Sequence, residues 1–137
     1  MANWNWFGKL HSQLIRLTGG RVGARMAGID MVLIETIGRK SGKKRPVPIA
    51  CYPYRDSVVV VASNNGQDQH PLWWLNLQAQ PEVFVQLGAK RYQVCAEELA
   101  GDERSAILPD IYRINPRQQS YVSMTERVLP VVYLKPV

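Results

Sequence analysis

The sequence predicts one mainly-β domain, a small antiparallel barrel with peripheral helices on its rim. Three observations carry that expectation. From Met31 onward the chain falls into short runs rich in β-branched residues. These runs come in pairs, joined by turns too short for a helical crossover. The helix-like stretches between the pairs are few and short, as at the edge of a barrel. With 137 residues, 46% apolar and 20% charged, the chain suits one domain with its own core, and excludes a two-domain enzyme or a disordered polymer.

The elements follow in order. Residues 1–20 carry Trp4, Phe7, Leu10, Leu14 and Leu17 at helical spacing, with Lys9, Gln13 and Arg16 off the stripe and Gly19-Gly20 as a stop. This amphipathic helix suits packing on the parent domain or a sister subunit, and its indoles followed by cations also suit peripheral contact with a membrane. Residues 21–30 read as a connecting loop; its glycines follow a helix instead of a strand, which excludes a dinucleotide fingerprint. Residues 31–37, 45–54 and 57–63 read as a three-stranded meander, turning at a basic glycine-containing segment and at Arg55-Asp56. Pro46, Pro48 and Pro53 mark the second strand as an edge, bulged, or broken near its start.

A loop over 64–70 leads to a short helix, 71–78, with Pro71 in its first turn and Pro81 beyond its end. Residues 82–87 and 90–98 form a hairpin across Gly88-Ala89. Residues 102–112 read as a helix capped by Asp102 and disturbed near its end by Pro109. A second short helix is expected over 117–126, and a strand over 128–134 closes the barrel, which spans 31–137 of a single domain, 1–137.

Charge is distributed unevenly. The chain carries +6, but residues 1–55 hold ten cations against Asp30 and Glu35. Five of those cations occupy seven positions, Arg39-Lys40-Ser41-Gly42-Lys43-Lys44-Arg45. Such neighbours repel one another unless water, salt or an anion relieves them. A solvated turn and a pocket for a phosphorylated small molecule both account for the cluster. A nucleic-acid surface is disfavoured, because helix-turn-helix, zinc-finger and RNP patterns are missing.

Other chemistries lack their residues. No apolar run reaches bilayer length and the first residues do not resemble a secretory signal, so the expected location is cytoplasmic, with peripheral membrane contact through 1–20 as the variant. Cys51 and Cys95 read as buried free thiols. His11 and His70 stand apart from any cluster with metal-ligand spacing, so no metal site is expected. Ser63 lacks the nucleophile elbow, and Glu97-Glu98 and Asp102-Glu103 read as solvated carboxylates. An enzyme so poor in acids, bases and nucleophiles would borrow its chemistry from an organic cofactor.

Three segments could share one mouth: the basic turn, the 63–70 loop and the start of the 71–78 helix. A helix start offers free N–H groups to an anion, and Trp73-Trp74 follows directly, one indole for the core and one free to line a planar ligand.

These residues resemble a known family. Gly38-Arg39-Lys40-Ser41-Gly42 with Arg45, then Val61-Ala62-Ser63, then Pro71-Leu72-Trp73-Trp74-Leu75-Asn76-Leu77 and Pro81, are similar in order to the deazaflavin-dependent nitroreductases and quinone reductases that use coenzyme F420. Residues 121–127 and Leu129-Pro130-Val131-Val132 extend the likeness. The resemblance implies a split β-barrel of the FMN-binding type, usually a homodimer, that transfers a hydride between reduced F420 and a small-molecule electron acceptor such as a quinone, enone or nitroaromatic. It implies that Arg39, Lys40, Ser41 and Arg45 cradle the phosphate and acidic tail. Pro48, Val61, Ala62, Ser63 and Asn64, with Leu72, Trp73, Trp74, Leu75 and Asn76, would complete the cofactor site. Ser63 and Tyr121 are the implied catalytic groups beside the acceptor. Where relatives often carry Ser-Lys-Gly-Gly, this chain has Ser63-Asn64-Asn65-Gly66, and it has Asn115 and Gln118 where some carry tyrosines. FMN in the same barrel, or a membrane-surface module without catalysis, are the alternatives.

Overall fold

The structure, a computed structural model, describes residues 25, 26 and 28–137. The helix expected over 1–20 lies outside them. Seven strands form: β1 (Arg25–Met26), β2 (Ile29–Ile37), β3 (Lys44–Tyr54), β4 (Ser57–Val61), β5 (Glu82–Leu87), β6 (Lys90–Glu98) and β7 (Val131–Pro136). Among the described residues three α-helices accompany them: α1 (Leu72–Ala79), α2 (Gly101–Ile114) and α3 (Pro116–Val122). Six strands close into an antiparallel barrel in the order β2-β3-β4-β7-β6-β5, with β5 pairing back onto β2, and β1 adds to the start of β2.

The period of two explains how one set of strands serves two cores. Val32 and Ile34 of β2, Val58 and Val60 of β4, and Val132 and Leu134 of β7 fill the barrel with Val83, Val85 and Val94. The alternate residues Val59, Val61, Val131 and Tyr133 pack outside it with Ile107 and Ile111 of α2. Burial on both faces is why these strands read as unbroken valine runs instead of alternating with polar residues. Ile111 is fully buried; its truncation to Ala would cost about 2–5 kcal/mol and loosen α2.

Register places the chemistry. Ile37 pairs with Lys44 and Val61 with Val131, so the 38–43 turn, the 62–71 segment with α1, and the 99–130 segment with α2 and α3 all leave one end of the barrel. The other end is closed by the tight turns at Arg55-Asp56 and Gly88-Ala89. Among the described residues no helix is long and apolar enough to cross a membrane.

Several expectations are corrected. The 21–30 loop contains β1 and the first two residues of β2, because Arg25 and Met26 pair with Asp30 and Ile29. The second strand is an edge only in part: β3 meets β2 over residues 44–50 and β4 over 51–54. Pro46 and Pro48 fall where one side is open and Pro53 opposite Val58 near the strand end, places where a missing N–H is tolerated. Ala100, not Asp102, is the N-cap of α2, and Asp102 sits in the first turn, where its charge favours the helix start. Pro109 lies inside α2, since burial of Ile107 and Ile111 outweighs one lost helix bond. The last helix stops at Val122 and the last strand starts at Val131. Cys51 is buried, with burial first and Asp30 second pushing its thiol up to about 12. Cys95 is free but only half-buried.

Candidate functional site

The basic turn has a defined shape. Gly38 N–H donates to Lys43 O and Gly42 N–H to Gly38 O, both at 2.8 Å, and Ser41 Oγ accepts from Lys43 N–H at 3.2 Å. Gly42 takes φ +70°, a conformation that L side chains resist. A Cβ on Gly38 would come within 2.6 Å of Ser41 Oγ, so the serine hydroxyl fills the space a side chain would need. Residues 39–45 are all exposed. Lys44 pairs with Glu35 at 3.8 Å. Among the described residues Arg39, Lys40, Lys43 and Arg45 enter no ion pair, so their mutual repulsion is relieved only by solvent or by an anion brought from outside.

Asn76 couples this turn to α1. Its buried Oδ1 accepts the Arg39 backbone N–H at 3.2 Å and Arg39 Nη1 at 3.5 Å, while Nδ2 donates to Thr36 Oγ1 at 3.4 Å. Thr36 in turn donates to Arg45 O. Pro71 is the N-cap of α1 in extended conformation, and the first helix bonds run from Trp74 and Leu75 back to Pro71 O. The Leu72 and Trp73 amides therefore have no intrahelical acceptor. Trp74 belongs to the barrel core at 5% exposure, whereas Trp73 is partly buried against it. One indole is committed to packing and the other stands at the mouth.

The loop over residues 62–70 is the most constrained part of the rim. Asn64, Asn65 and Gly66 take φ of 49°, 56° and 76° in succession. Asparagine is among the few residues that enter this region readily. Asn64 Nδ2 donates to Gln69 O at 2.9 Å, and Tyr121 OH donates to Asn65 Oδ1 at 3.3 Å. Gly66 admits no substituent: an added Cβ would lie 2.8 Å from Met124 Sδ.

Arg127 holds this loop through its guanidinium. Nε donates to Gln67 O at 3.2 Å, Nη1 to Ala62 O at 3.1 Å and to His70 Nδ1 at 2.9 Å, and Nη2 to Ser63 O at 2.9 Å and Gln67 O at 3.0 Å. A guanidinium has five N–H donors, and all five are used on one loop. Burial lowers the Arg127 pKa, opposed by nearby Asp68. Thr125 Oγ1 adds a bond to Asp68 Oδ1 at 2.7 Å.

The sequence-predicted residues divide accordingly. Arg39, Ser41, Arg45 and Asn76 meet in one hydrogen-bonded unit with the start of α1. Lys40 is exposed on the turn and Leu72 is 67% exposed at the helix start. Leu75 is half-buried, and Pro48 is half-buried on β3 opposite Leu33. Val61 and Ala62 are buried and spend their side chains on the two cores. Ser63 is 7% exposed. Tyr121 lies beside Asn65, its OH 3.3 Å from Asn65 Oδ1. Sequence reasoning gave Arg127 no role of its own; the one signal was its place inside the 121–127 likeness.

A concavity of about 510 Å³ is lined by Asp68 and residues 123–127. It flanks the loop, while the exposed cations of the basic turn form an open shelf.

This donor set suits a ligand with an anionic tail and a flat head: unpaired cations and free helix amides at one end, a half-buried indole and loop backbone at the other. Fold and site together define a small-barrel, cofactor-holding class of protein. The chain belongs to the F420H(2)-dependent quinone reductase family, whose model matches residues 6–136. The F420H(2)-dependent quinone reductase Rv1261c of Mycobacterium tuberculosis is 35% identical over 130 residues, 92% of this chain and 87% of that protein. A solved F420-H2 dependent reductase, FDR-A, superposes with TM-score 0.68 at 38% identity over 74% of this chain and 90% of its own. A domain-swapped dimer superposes with TM-score 0.72 at 33% identity, covering 95% of this chain and 97% of its own.

Proposed function

We propose that this chain is an oxidoreductase that passes a hydride from reduced coenzyme F420 to a quinone. The observation that carries the reading is the cluster Arg39, Lys40, Lys43 and Arg45, unpaired among the described residues, tied through Asn76 to the helix that bears Trp73. When bound, reduced F420 supplies the hydride. The protein's share is binding and orientation. Arg39, Lys40 and Arg45 oppose the negative tail, with Ser41 shaping the turn and Asn76 fixing the distance from tail to ring. Trp73, Leu72 and Leu75, with Pro48 and the backbone of Val61 to Asn64, border the ring, while Trp74 anchors the helix in the core. Ser63 and Tyr121 are the candidates to face the acceptor. Tyr121 must release Asn65 Oδ1 before it can donate to an acceptor, and Ser63 must act from a nearly closed position.

The free thiols Cys51 and Cys95 suit a reducing, cytoplasmic setting. The domain-swapped neighbour supports a homodimer here. The decisive experiment is a side-by-side fluorescence titration with F420 and FMN, followed by turnover of menadione by reduced F420. Saturable F420 binding with consumption of both substrates is expected. Binding of FMN alone would replace this reading with that of a flavoprotein.

A further inference from the structure

We propose that His70 is a further catalytic residue: a neutral imidazole, set in one tautomer by Arg127, that donates Nε2–H to the acceptor oxygen as negative charge grows there. This rests on the hydride-transfer reading above. Arg127 Nη1 lies 2.9 Å from His70 Nδ1, and a guanidinium can only donate. Nδ1 is therefore the acceptor, it carries no proton, and the ring proton belongs to Nε2. The tautomer of a histidine is set in this way by whatever its other nitrogen contacts.

The same Nη1 also holds Ala62 O, at 3.1 Å, and the same guanidinium holds Ser63 O, so the imidazole is fixed next to the backbone that leads into the site. His70 immediately precedes Pro71, the cap of α1. The ring is half-buried, and among the described residues no hydrogen bond engages Nε2. By contrast, Tyr121 already donates to Asn65 and Ser63 is almost closed off. A neutral N–H donor held rigidly beside a positive charge can polarise a carbonyl without having to give up its proton. Because all five Arg127 donors are engaged, Arg127 itself is a positioning residue that reaches the acceptor only through His70.

The test combines spectroscopy with kinetics. The chain has two histidines, so long-range 1H–15N correlation of the imidazoles, assigned with His11→Gln, reads the His70 tautomer directly. A single neutral Nε2–H form is expected in the wild type and a mixture in Arg127→Lys. With reduced F420 and menadione, His70→Ala should lower kcat about 100-fold, the scale of losing one oxyanion donor. F420 affinity should stay within about twofold, and His70→Gln, which keeps an N–H donor, should recover part of the rate. A His70 ring protonated at Nδ1, or kcat unchanged in a His70→Ala protein that still binds F420, overturns the proposal. A wild-type protein that binds no F420 overturns the functional reading itself, and is told apart from the other failures by that titration.

Discussion

Asn76 Oδ1 accepts the backbone N–H of Arg39 at 3.2 Å, across 37 residues of sequence. That single amide locks the basic turn to the helix start, with Thr36 on its other arm. Replacing Asn76 by Ala strands a part-buried N–H and frees the turn. The expected result is a stability loss of about 1–3 kcal/mol, read in denaturant melts, and F420 binding weakened about tenfold because tail and ring subsites no longer keep their spacing. Lost stability with unaltered affinity would show that the coupling plays no part in binding.

The unpaired cations should act electrostatically. Arg39→Ala and Lys40→Ala are each expected to weaken F420 about tenfold, equivalent to about 1.4 kcal/mol. Binding to the wild type should also weaken as salt rises, since charges on an open shelf are screened beyond about 8–10 Å near physiological ionic strength. Titrations at low and high salt check both, and the double variant should show the shallower salt dependence.

Gly66→Ala should destabilise through two separate causes. One is the φ of +76°, costly for any residue with a Cβ; the other is Met124, 2.8 Å from where that Cβ must go. A loss of about 2–4 kcal/mol is expected from the two together. Met124→Ala in the same chain should restore only part of the steric cost, because the Met124 Cβ that the substitution keeps also lies 2.8 Å from the new Cβ. Thermal melts of the two single variants and the double variant measure this coupling.

Tyr133 OH donates to Asp56 Oδ1 at 2.6 Å, and the pair predicts pH behaviour at both extremes. The Tyr133 hydrogen bond is the main cause holding the Asp56 carboxyl below its usual range. A depressed carboxyl pKa contributes stability present above the unfolded value and lost as pH falls through the folded one. Tyr133 is pushed up to about 12, by burial first and then by Asp56. Its contribution is complete below the ordinary tyrosine pKa near 10 and disappears as pH rises toward 12. Tyr133→Phe should therefore flatten both limbs of the stability profile, measured by melting between about pH 3 and 11. An acid limb as steep as the wild type's would assign that loss to other carboxylates.

The hairpin strands were legible because their valines, isoleucines and tight turns act over a few residues. β5 and β6 match the expected 82–87 and 90–98. The closing pairs β2–β5 and β4–β7 were not, because they join segments about 50 and 70 residues apart, and local pattern does not specify such partners. β1 escaped because a two-residue strand beside Gly28 carries no period. In the site, the cation cluster and the Pro71 helix start announced themselves through charge density and turn chemistry. Arg127 did not: one arginine among many becomes a clamp only when folding brings it to carbonyls some 60 residues earlier.

The barrel's uneven ends have a consequence for how such a protein can diversify. Six strands seal a hoop whose lower lip is stitched by pairs of residues, while every long connection opens from the upper lip. Lengthening or rewriting those upper connections leaves the hoop's own ladder bonds untouched. New guests can thus be tried one loop at a time on a frame that does not need to be re-invented.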